Sequence, residues 1–286
     1  MIPSTFAYER VSTIAEAIER LQASGGEAKL LAGGHSLLPM MKLRLSSPST
    51  LIDISGIKEL YGIVREPDAI VVGALTTHAE VARSQMVRDR LPMLAEAAFK
   101  IGDLQVRNRG TIGGNLAHAD PASDLPAVAL ALDADITLIT VDGEQSIPAE
   151  EFFLGPLITA MPEHSVVKNV KFRLPPQSAK TVYEKVPHPA SGYAVVGVAA
   201  VVAVDSENVV THVQIGVTGA ADVAYRARAV EDALLGQEFT EDSMKSAADL
   251  AAVDGMIASD LYASEEYRTQ LCKVYTLRAL QRIGAL

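Results

Sequence analysis

The sequence predicts an α+β fold in two parts, a longer one over residues 1–177 and a smaller one over residues 178–286. In the first part, short apolar runs typical of strands alternate with segments of helical periodicity. From residue 178, strand-like runs come first and helical segments follow, an order typical of a separate α+β domain. Residues 175–178 (PPQS) are rich in turn-forming residues and mark the boundary.

The longer part opens with a helix predicted over residues 12–21, because Ser12 and Thr13 can cap a segment of helical apolar spacing. A strand at 29–32 then leads into a glycine pair. Asp142 and Gly143 form a hairpin signal after the last helix of this part. The remaining strands are predicted at 51–54, 69–74, 134–141 and 166–174, and the remaining helices at 77–83, 91–101 and 126–132.

The smaller part is predicted to contain three strands followed by three helices. Its longest apolar run, residues 193–204, is too short and too β-branched to span a bilayer, and is better explained as a buried strand. The N-terminus lacks a basic segment followed by an apolar stretch, so we expect a cytoplasmic protein. The strands are predicted at 183–186, 193–204 and 209–217, and the helices at 229–235, 243–253 and 265–284.

Charge and cysteine content exclude several functional classes. The net charge of −10 and the absence of a long basic run argue against a nucleic-acid partner. Cys272 is the only cysteine, so this chain alone can build neither a disulfide nor a cysteine-ligated cluster or zinc site.

Two glycine pairs are the most informative motifs, in residues 32–36 (AGGHS) and 111–115 (TIGGN). A Gly-Gly pair allows positive φ and brings bare N–H groups close to a bound group. Ser36, Thr111 and Asn115 add side-chain hydrogen-bonding groups. Two such turns from distant parts of the chain predict a grip on an extended anion such as a pyrophosphate. The alternative is that each pair only connects tightly packed elements.

Other ligand motifs are absent or weak. The sequence has neither Gly-x-Gly-x-x-Gly nor Gly-x-x-x-x-Gly-Lys-Ser/Thr, which argues against a Rossmann unit and a P-loop. Asp124 precedes an apolar helix, where it can act as an N-cap or accept hydrogen bonds from ribityl or ribose hydroxyls. His118, Asp120 and Asp124 are a poor donor set for a metal, because their spacing is irregular and only one is a histidine. We predict no metal site and assign no catalytic residue.

The two glycine motifs, together with residues 120–126 (DPASDLP), resemble the FAD-binding signatures of the medium subunits of molybdenum hydroxylases, the xanthine dehydrogenase family. Within that family the chain looks most like the medium subunit of aerobic carbon monoxide dehydrogenase. The resemblance covers essentially the whole chain. It implies a two-part FAD-binding domain of the PCMH type, with subdomains of about 1–58 and 59–177. A C-terminal α+β domain of the carbon monoxide dehydrogenase flavoprotein type would follow.

The resemblance also implies which residues bind FAD. The two motifs would hold the pyrophosphate, Asp124 would lie along the ribityl or adenosine side, and Tyr193 would lie over the isoalloxazine ring. Residues 186–192 (VPHPASG) depart from the basic residues that relatives often carry there, which leaves less positive charge near that ring. The implied FAD-binding residues are Ala32, Gly33, Gly34, His35, Ser36, Thr111, Ile112, Gly113, Gly114, Asn115, Asp124, Lys185 and Tyr193.

With a single cysteine this chain cannot hold iron–sulfur clusters, so the resemblance implies that other subunits carry them. The [2Fe–2S] clusters and the molybdenum cofactor would belong to a small iron–sulfur subunit and a large molybdenum subunit, in a dimer of heterotrimers. This chain would carry FAD and pass electrons to a quinone or another acceptor, with possible attachment to the inner face of the membrane through that acceptor. Carbon monoxide is the expected substrate of the complex.

Three alternatives remain open from the sequence. The chain can be the medium subunit of an aldehyde or N-heterocycle hydroxylase, because the substrate pocket would lie on the large subunit. It can be a self-contained flavin oxidoreductase, for which His35 in the first motif is a candidate covalent attachment point. It can also be an interaction scaffold whose glycine turns are purely structural.

Overall fold

Three larger β-sheets and a two-stranded ribbon organise residues 2–286, the part of the chain that the computed structural model describes. Their order along the chain is a three-stranded, a five-stranded and a four-stranded sheet. The ribbon comes before the last strand of the second sheet.

The first sheet is parallel and packs against an amphipathic helix. Its elements are β1 (Ala7–Arg10), α1 (Ile14–Ala23), β2 (Ala28–Leu31), α2 (Leu37–Lys42) and β3 (Thr50–Asp53). β3 lies between β1 and β2 and is parallel to both. Thr13 begins α1 by accepting a hydrogen bond from the Glu16 amide, as its sequence predicts. Ile14, Ile18 and Leu21 recur at helical spacing and are buried with Ile52 of β3.

The second sheet is antiparallel, in the order β4-β5-β10-β6-β7. Helices cover one of its faces and form the largest core of the molecule with it. A 3₁₀ turn (Lys58–Leu60) precedes it. Its strands are β4 (Ile63–Arg65), β5 (Ala69–Gly73), β6 (Asp135–Thr140), β7 (Gly143–Pro148) and β10 (Val166–Arg173). The helices are α3 (His78–Arg83), α4 (Gln85–Arg90), α5 (Pro92–Lys100), α6 (Leu104–Arg107), α7 (Ile112–His118), α8 (Leu125–Ala131) and α9 (Ala149–Phe152), and the ribbon is β8 (Phe153–Gly155) with β9 (Ile158–Thr159).

The third sheet is an antiparallel meander followed by helices. Its elements are β11 (Lys180–Pro187), β12 (Ala194–Val204), β13 (Val210–Thr218), β14 (Tyr225–Arg226), α10 (Arg228–Leu234), α11 (Glu241–Ala248) and α12 (Glu265–Ala285). β12 is buried along almost its whole length because α8 and α12 both contact it. This double coverage explains its uninterrupted apolar sequence.

The α+β prediction is confirmed, whereas several short elements were missed. β1 is exposed throughout and α6 has no buried residue, so neither carries an apolar pattern that a sequence could reveal. The helix predicted over 243–253 ends at Ala248. The predicted second glycine turn is also wrong as a turn, because Gly113 and Gly114 lie in the first turn of α7.

The third sheet is joined to the region before it by backbone hydrogen bonds and a shared core. The amide of Ala194 donates to Ala122 O, and that of Gly219 donates to Pro121 O. Tyr183 and Val201 of the third sheet belong to the core formed by the second sheet and its helices. The boundaries at 58 and 177 remain predictions. No helix within residues 2–286 combines the length and apolarity needed to cross a bilayer.

Candidate cofactor site

A cavity of about 1040 Å³ opens between the first sheet, the helices of the second sheet and the connection from β11 to β12. Its volume is at the upper end of ordinary ligand sites, roughly 300–1,000 Å³, as an extended ligand requires. Most of the predicted site residues line it, namely Ala32, Gly33, Gly34, His35, Ser36, Thr111, Gly113, Gly114, Asn115, Asp124 and Tyr193.

The first glycine motif forms the loop between β2 and α2. Gly34 has φ +78°, so glycine is required there for its backbone conformation. Gly33 is required for a different reason, since a Cβ at this position would collide with the carbonyl oxygen of Arg109. The loop therefore packs directly against the segment that leads into the second motif.

The backbone amides of this loop are available to a ligand. None of the amides of Gly33, Gly34, His35 and Ser36 donates a hydrogen bond to another residue within 2–286. Successive backbone N–H groups without a protein acceptor are the groups from which anion-binding concavities are built. This arrangement fits a pyrophosphate.

The second motif differs from its prediction, because its amides are already engaged. The amides of Ile112 and Gly113 donate to Thr76 O and Ala74 O, and those of Gly114 and Asn115 donate to Thr111 Oγ1 and Thr111 O. Here the glycines permit close packing, since a Cβ on Gly113 would lie 2.5 Å from Ala74 Cβ. The motif offers a helix N-terminus and polar side chains rather than free N–H groups.

Two predicted residues do not line the cavity. Ile112 is fully buried in the core at the start of α7, as expected for the apolar residue in this helical turn. Lys185 lies on β11, and its ammonium group points to Asp124 and to the carbonyl oxygen of Lys100. Lys185 therefore positions the Asp124 carboxylate and does not itself line the cavity.

Asp124 is the shared acceptor of a buried hydrogen-bonded cluster with Tyr183 and Lys185. Although it occupies the N-cap position of α8, its side chain makes no capping bond. Lys185 Nζ lies 2.8 Å from Asp124 Oδ1, and the Tyr183 hydroxyl donates to the same oxygen at 2.6 Å. Asp124 is 3% exposed and Lys185 9%. Burial raises the pKa of Asp124, while Lys185 and Tyr183 oppose that rise by stabilising the carboxylate.

Tyr193 stands at the cavity edge, just before β12 rather than within it. It is 42% exposed. Partial burial raises the pKa of its hydroxyl, and the carboxylates of Asp120 and Asp124 raise it further. The phenol is therefore neutral near pH 7.

His78 is a cavity residue that the sequence did not single out. It follows the capping residue Thr77 in α3, and it lines the cavity near Gly110. Burial lowers the pKa of His78 to about 4, with smaller effects from His35 and Arg107. Its Nδ1 atom is buried and has no partner within residues 2–286. A single histidine in a helix carries no sequence signal that would have predicted its position in the cavity wall.

Comparison with known families agrees with this geometry. The family described as FAD binding domain in molybdopterin dehydrogenase matches residues 4–176, and the CO dehydrogenase flavoprotein C-terminal domain matches residues 181–283. The chain belongs to the molybdopterin dehydrogenase flavoproteins. It is an FAD-containing subunit of an oxidoreductase, which confirms the predicted cofactor and the predicted family.

Individual relatives extend over the full length of the chain. The carbon monoxide dehydrogenase medium chain of Hydrogenophaga pseudoflava is 42% identical, covering 100% of this chain and 99% of the relative. The glyceraldehyde dehydrogenase medium chain of Sulfolobus acidocaldarius is 34% identical over 99% of this chain and 100% of its own length. The solved structure of the Hydrogenophaga pseudoflava carbon monoxide dehydrogenase gives a TM-score of 0.96 over 100% of this chain and 99% of that chain.

Proposed function

We propose that this flavoprotein is the medium subunit of a carbon monoxide dehydrogenase and that the cavity described above holds its FAD. The loop of residues 32–36 carries the proposal, because its four unpaired amides would receive the pyrophosphate. The Asn115 amide would donate or accept hydrogen bonds along the rest of the cofactor, the Asp124 carboxylate would accept them, and Tyr193 would cover one end of the cofactor. Lys185 would keep Asp124 charged without touching the ligand.

FAD, when bound, supplies the redox chemistry, accepting electrons from the partner subunits and releasing them to an acceptor. This chain would supply a rigid pyrophosphate cradle, a neutral His78 and a buried carboxylate at fixed positions. The iron–sulfur clusters and the molybdenum cofactor would reside on a small and a large subunit, since Cys272 is buried and is the only cysteine here. A dimer of heterotrimers, a quinone acceptor and a cytoplasmic location at the inner face of the membrane complete the proposal.

The substrate is tested on the complex purified with its own partner subunits. We expect CO-dependent reduction of an artificial dye by the complex, and none by the chain alone. Reduction with glyceraldehyde but not with CO would contradict the carbon monoxide assignment. It would favour the aldehyde alternative, which the 34% identity to a glyceraldehyde dehydrogenase medium chain supports.

The FAD site is tested on the chain alone, which we expect to bind FAD and to show visible flavin absorbance. Absence of flavin bands after FAD addition would contradict the proposed site. Acid precipitation distinguishes the self-contained alternative: we expect the colour in the supernatant, because His35 would act only as a loop residue. Colour retained in the pellet would indicate a covalent link.

A further inference from the structure

His78 has an imidazole ring that the fold buries without giving it a hydrogen bond. It is the first residue of α3, is 3% exposed and lines the cavity. Nδ1 is enclosed and has no partner within residues 2–286, whereas Nε2 is not enclosed and has no partner there either. Such a ring is unusual in folded proteins, because no hydrogen bond offsets the free energy that its burial costs.

Gly110 leaves the space that this ring occupies. A Cβ at position 110 would lie 2.8 Å from Cδ2 and 2.9 Å from Nε2 of His78. Gly110 does not have a positive φ, so its backbone conformation alone does not require glycine. The backbone amide of His78 donates to Gly110 O, which fixes the helix start against the same residue.

Gly110 also contacts the first glycine motif. The Cβ that Gly33 lacks would lie 3.0 Å from Gly110 Cα. One glycine therefore separates the His78 ring from the loop of residues 32–36, whose amides have no acceptor within residues 2–286. The ring and these amides belong to the same part of the cavity wall.

The surroundings of the two ring nitrogens decide which of them carries a proton. Burial lowers the pKa of His78 to about 4, so the ring is neutral at pH 7 and has a single N–H group. A proton on Nδ1 would be a buried donor without an acceptor, and orphaned donors are rarer than orphaned acceptors. The proton is therefore assigned to Nε2. His78 then presents a neutral N–H donor to the cavity.

The cavity wall contains few cations. Lys29 is the only lysine among the residues of 2–286 that line it, and no arginine of this range does so. An anion in the cavity would therefore depend mainly on neutral N–H groups. A neutral imidazole N–H beside the amides of residues 32–36 adds a donor of the same kind.

We propose that His78 is a cofactor-binding residue whose Nε2–H group donates a hydrogen bond to a pyrophosphate oxygen of FAD. This inference rests on the proposed function, in which the loop of residues 32–36 receives the pyrophosphate. The bond would give the buried ring its partner. Because the helix start and Gly110 hold the ring on one side, the donor has a fixed direction before the cofactor binds.

Two substitutions separate the N–H donor from the space that the ring fills. His78→Gln keeps a neutral amide N–H that can reach the position of Nε2, whereas His78→Leu fills a similar volume and has no donor. We expect FAD affinity at pH 7 to fall at least about tenfold in His78→Leu, since a hydrogen bond to a charged oxygen is lost. His78→Gln should retain most of the affinity. Flavin fluorescence during titration of the full chain with FAD measures both.

Unfolding by urea without FAD distinguishes a ligand contact from a purely structural role. Leucine removes a buried polar ring that has no partner, so His78→Leu should be as stable as the parent chain or more stable. A variant that loses stability together with affinity would overturn the proposal. His212→Leu is the matched control, because His212 lies on β13 and does not line the cavity. Its FAD affinity should equal that of the parent.

Phosphorus NMR at saturating FAD tests which part of the cofactor His78 contacts. We expect the pyrophosphate resonances of bound FAD to shift between the parent and His78→Leu, while the visible flavin bands stay where they are. Unchanged phosphorus resonances would overturn the assignment to the pyrophosphate. Displaced flavin bands without a phosphorus shift would place the contact at the flavin instead.

Failure of this inference is distinguishable from failure of the proposed function. A parent chain that binds no FAD overturns the proposed function, and the role of His78 with it. A parent chain that binds FAD while His78→Leu binds it equally well overturns only the role of His78. Equal losses in His78→Gln and His78→Leu would also overturn that role, because the N–H donor would then make no difference.

Discussion

Lys185 and Asp124 form an ion pair beside the cavity, and both residues are buried. Each charge therefore depends on the other for its stabilisation. Tyr183 adds a hydroxyl that reaches the same carboxylate, and Gly197 leaves the space for it because a Cβ there would collide with this hydroxyl. A carboxylate held in this way keeps one orientation toward the cavity. Its position therefore depends on residues of the third sheet.

Removing the Lys185 side chain should destabilise the folded chain. Lys185→Met leaves the buried Asp124 carboxylate with the Tyr183 hydroxyl and the more distant charge of Lys100, and we expect a loss of about 3–5 kcal/mol in the free energy of unfolding at pH 7. Lys171→Met is the matched control, because Lys171 pairs with Glu66 at the surface and exposed ion pairs contribute little. Urea unfolding measures both. The loss in free energy of unfolding caused by Lys185→Met should become smaller toward pH 4, because a protonated Asp124 needs no cation beside it. A loss that does not change with pH would contradict this explanation.

The lowered pKa of His78 predicts a second pH dependence of the folded chain's stability. Its pKa is about 4 in the folded chain and about 6.5 when unfolded, so only the unfolded state gains a proton between these values. Stability should therefore fall as the pH drops through this window, by about 3 kcal/mol in full. His78→Asn should flatten the stability profile there. His164→Asn is the matched control for a histidine-to-asparagine change, because His164 has φ +57°, which asparagine tolerates.

At the scale of elements, the two glycine motifs adopt different structures although their sequences look alike. The first is a loop with free amides, whereas the second begins a helix whose amides are already bonded. The contact between Gly33 and Arg109 O brings the two together. Cofactor affinity should therefore depend on the absence of a side chain at this contact.

Gly33→Ala tests this dependence. The added Cβ would collide with Arg109 O, so the loop and its unpaired amides must move away from the segment that leads into α7. We expect FAD affinity to fall at least tenfold, an effect of about 1.4 kcal/mol, measured by flavin fluorescence on titration. Gly284→Ala in α12 is the control, because its nearest neighbour would be Met244 Cε at 3.4 Å and alanine favours helix. Equal FAD affinity in both variants would refute the collision.

At the scale of the whole molecule, ion pairs and close packing join the third sheet to the region before it. Arg226 in β14 pairs with Glu231 of α10 at 2.7 Å and with Asp133 after α8 at 3.0 Å. Both Arg226 and Glu231 are buried. Gly216 packs so closely on Ala127 O that no side chain fits between them. We therefore expect the chain to unfold as a unit.

Cooperative unfolding is tested with two probes on the FAD-loaded chain. Thermal transitions followed by far-UV circular dichroism and by flavin release should coincide. Arg226→Met should lower both together, with a loss of about 3–5 kcal/mol, because it leaves the buried Glu231 carboxylate with only the longer contact of 3.8 Å to Arg228. Arg20→Met, which breaks an exposed pair with Glu9, should cost at most about 1 kcal/mol. Separate transitions would show that the parts unfold independently.

Long periodic segments could be predicted from the sequence, since their signal is local. α1 carries both a cap and an apolar stripe, and β12 carries an unbroken apolar run, so both were predicted within a few residues. β1 and α6 were missed because exposed short elements obtain their structure from neighbours rather than from their own pattern. The second glycine motif was misinterpreted because glycine is rare inside helices unless packing demands it.

The sequence by itself determined the α+β class through its local periodicity, and it determined the family and the FAD cofactor through the resemblance of short motifs to known FAD-binding signatures. Only the tertiary structure decided which amides are free, that Lys185 pairs with Asp124, and that His78 borders the cavity. Hydrogen-bond satisfaction and burial depend on groups far apart in the chain, such as Gly113 with Ala74 or Lys185 with Asp124. No local pattern records those distances; they exist only once the sheets have packed.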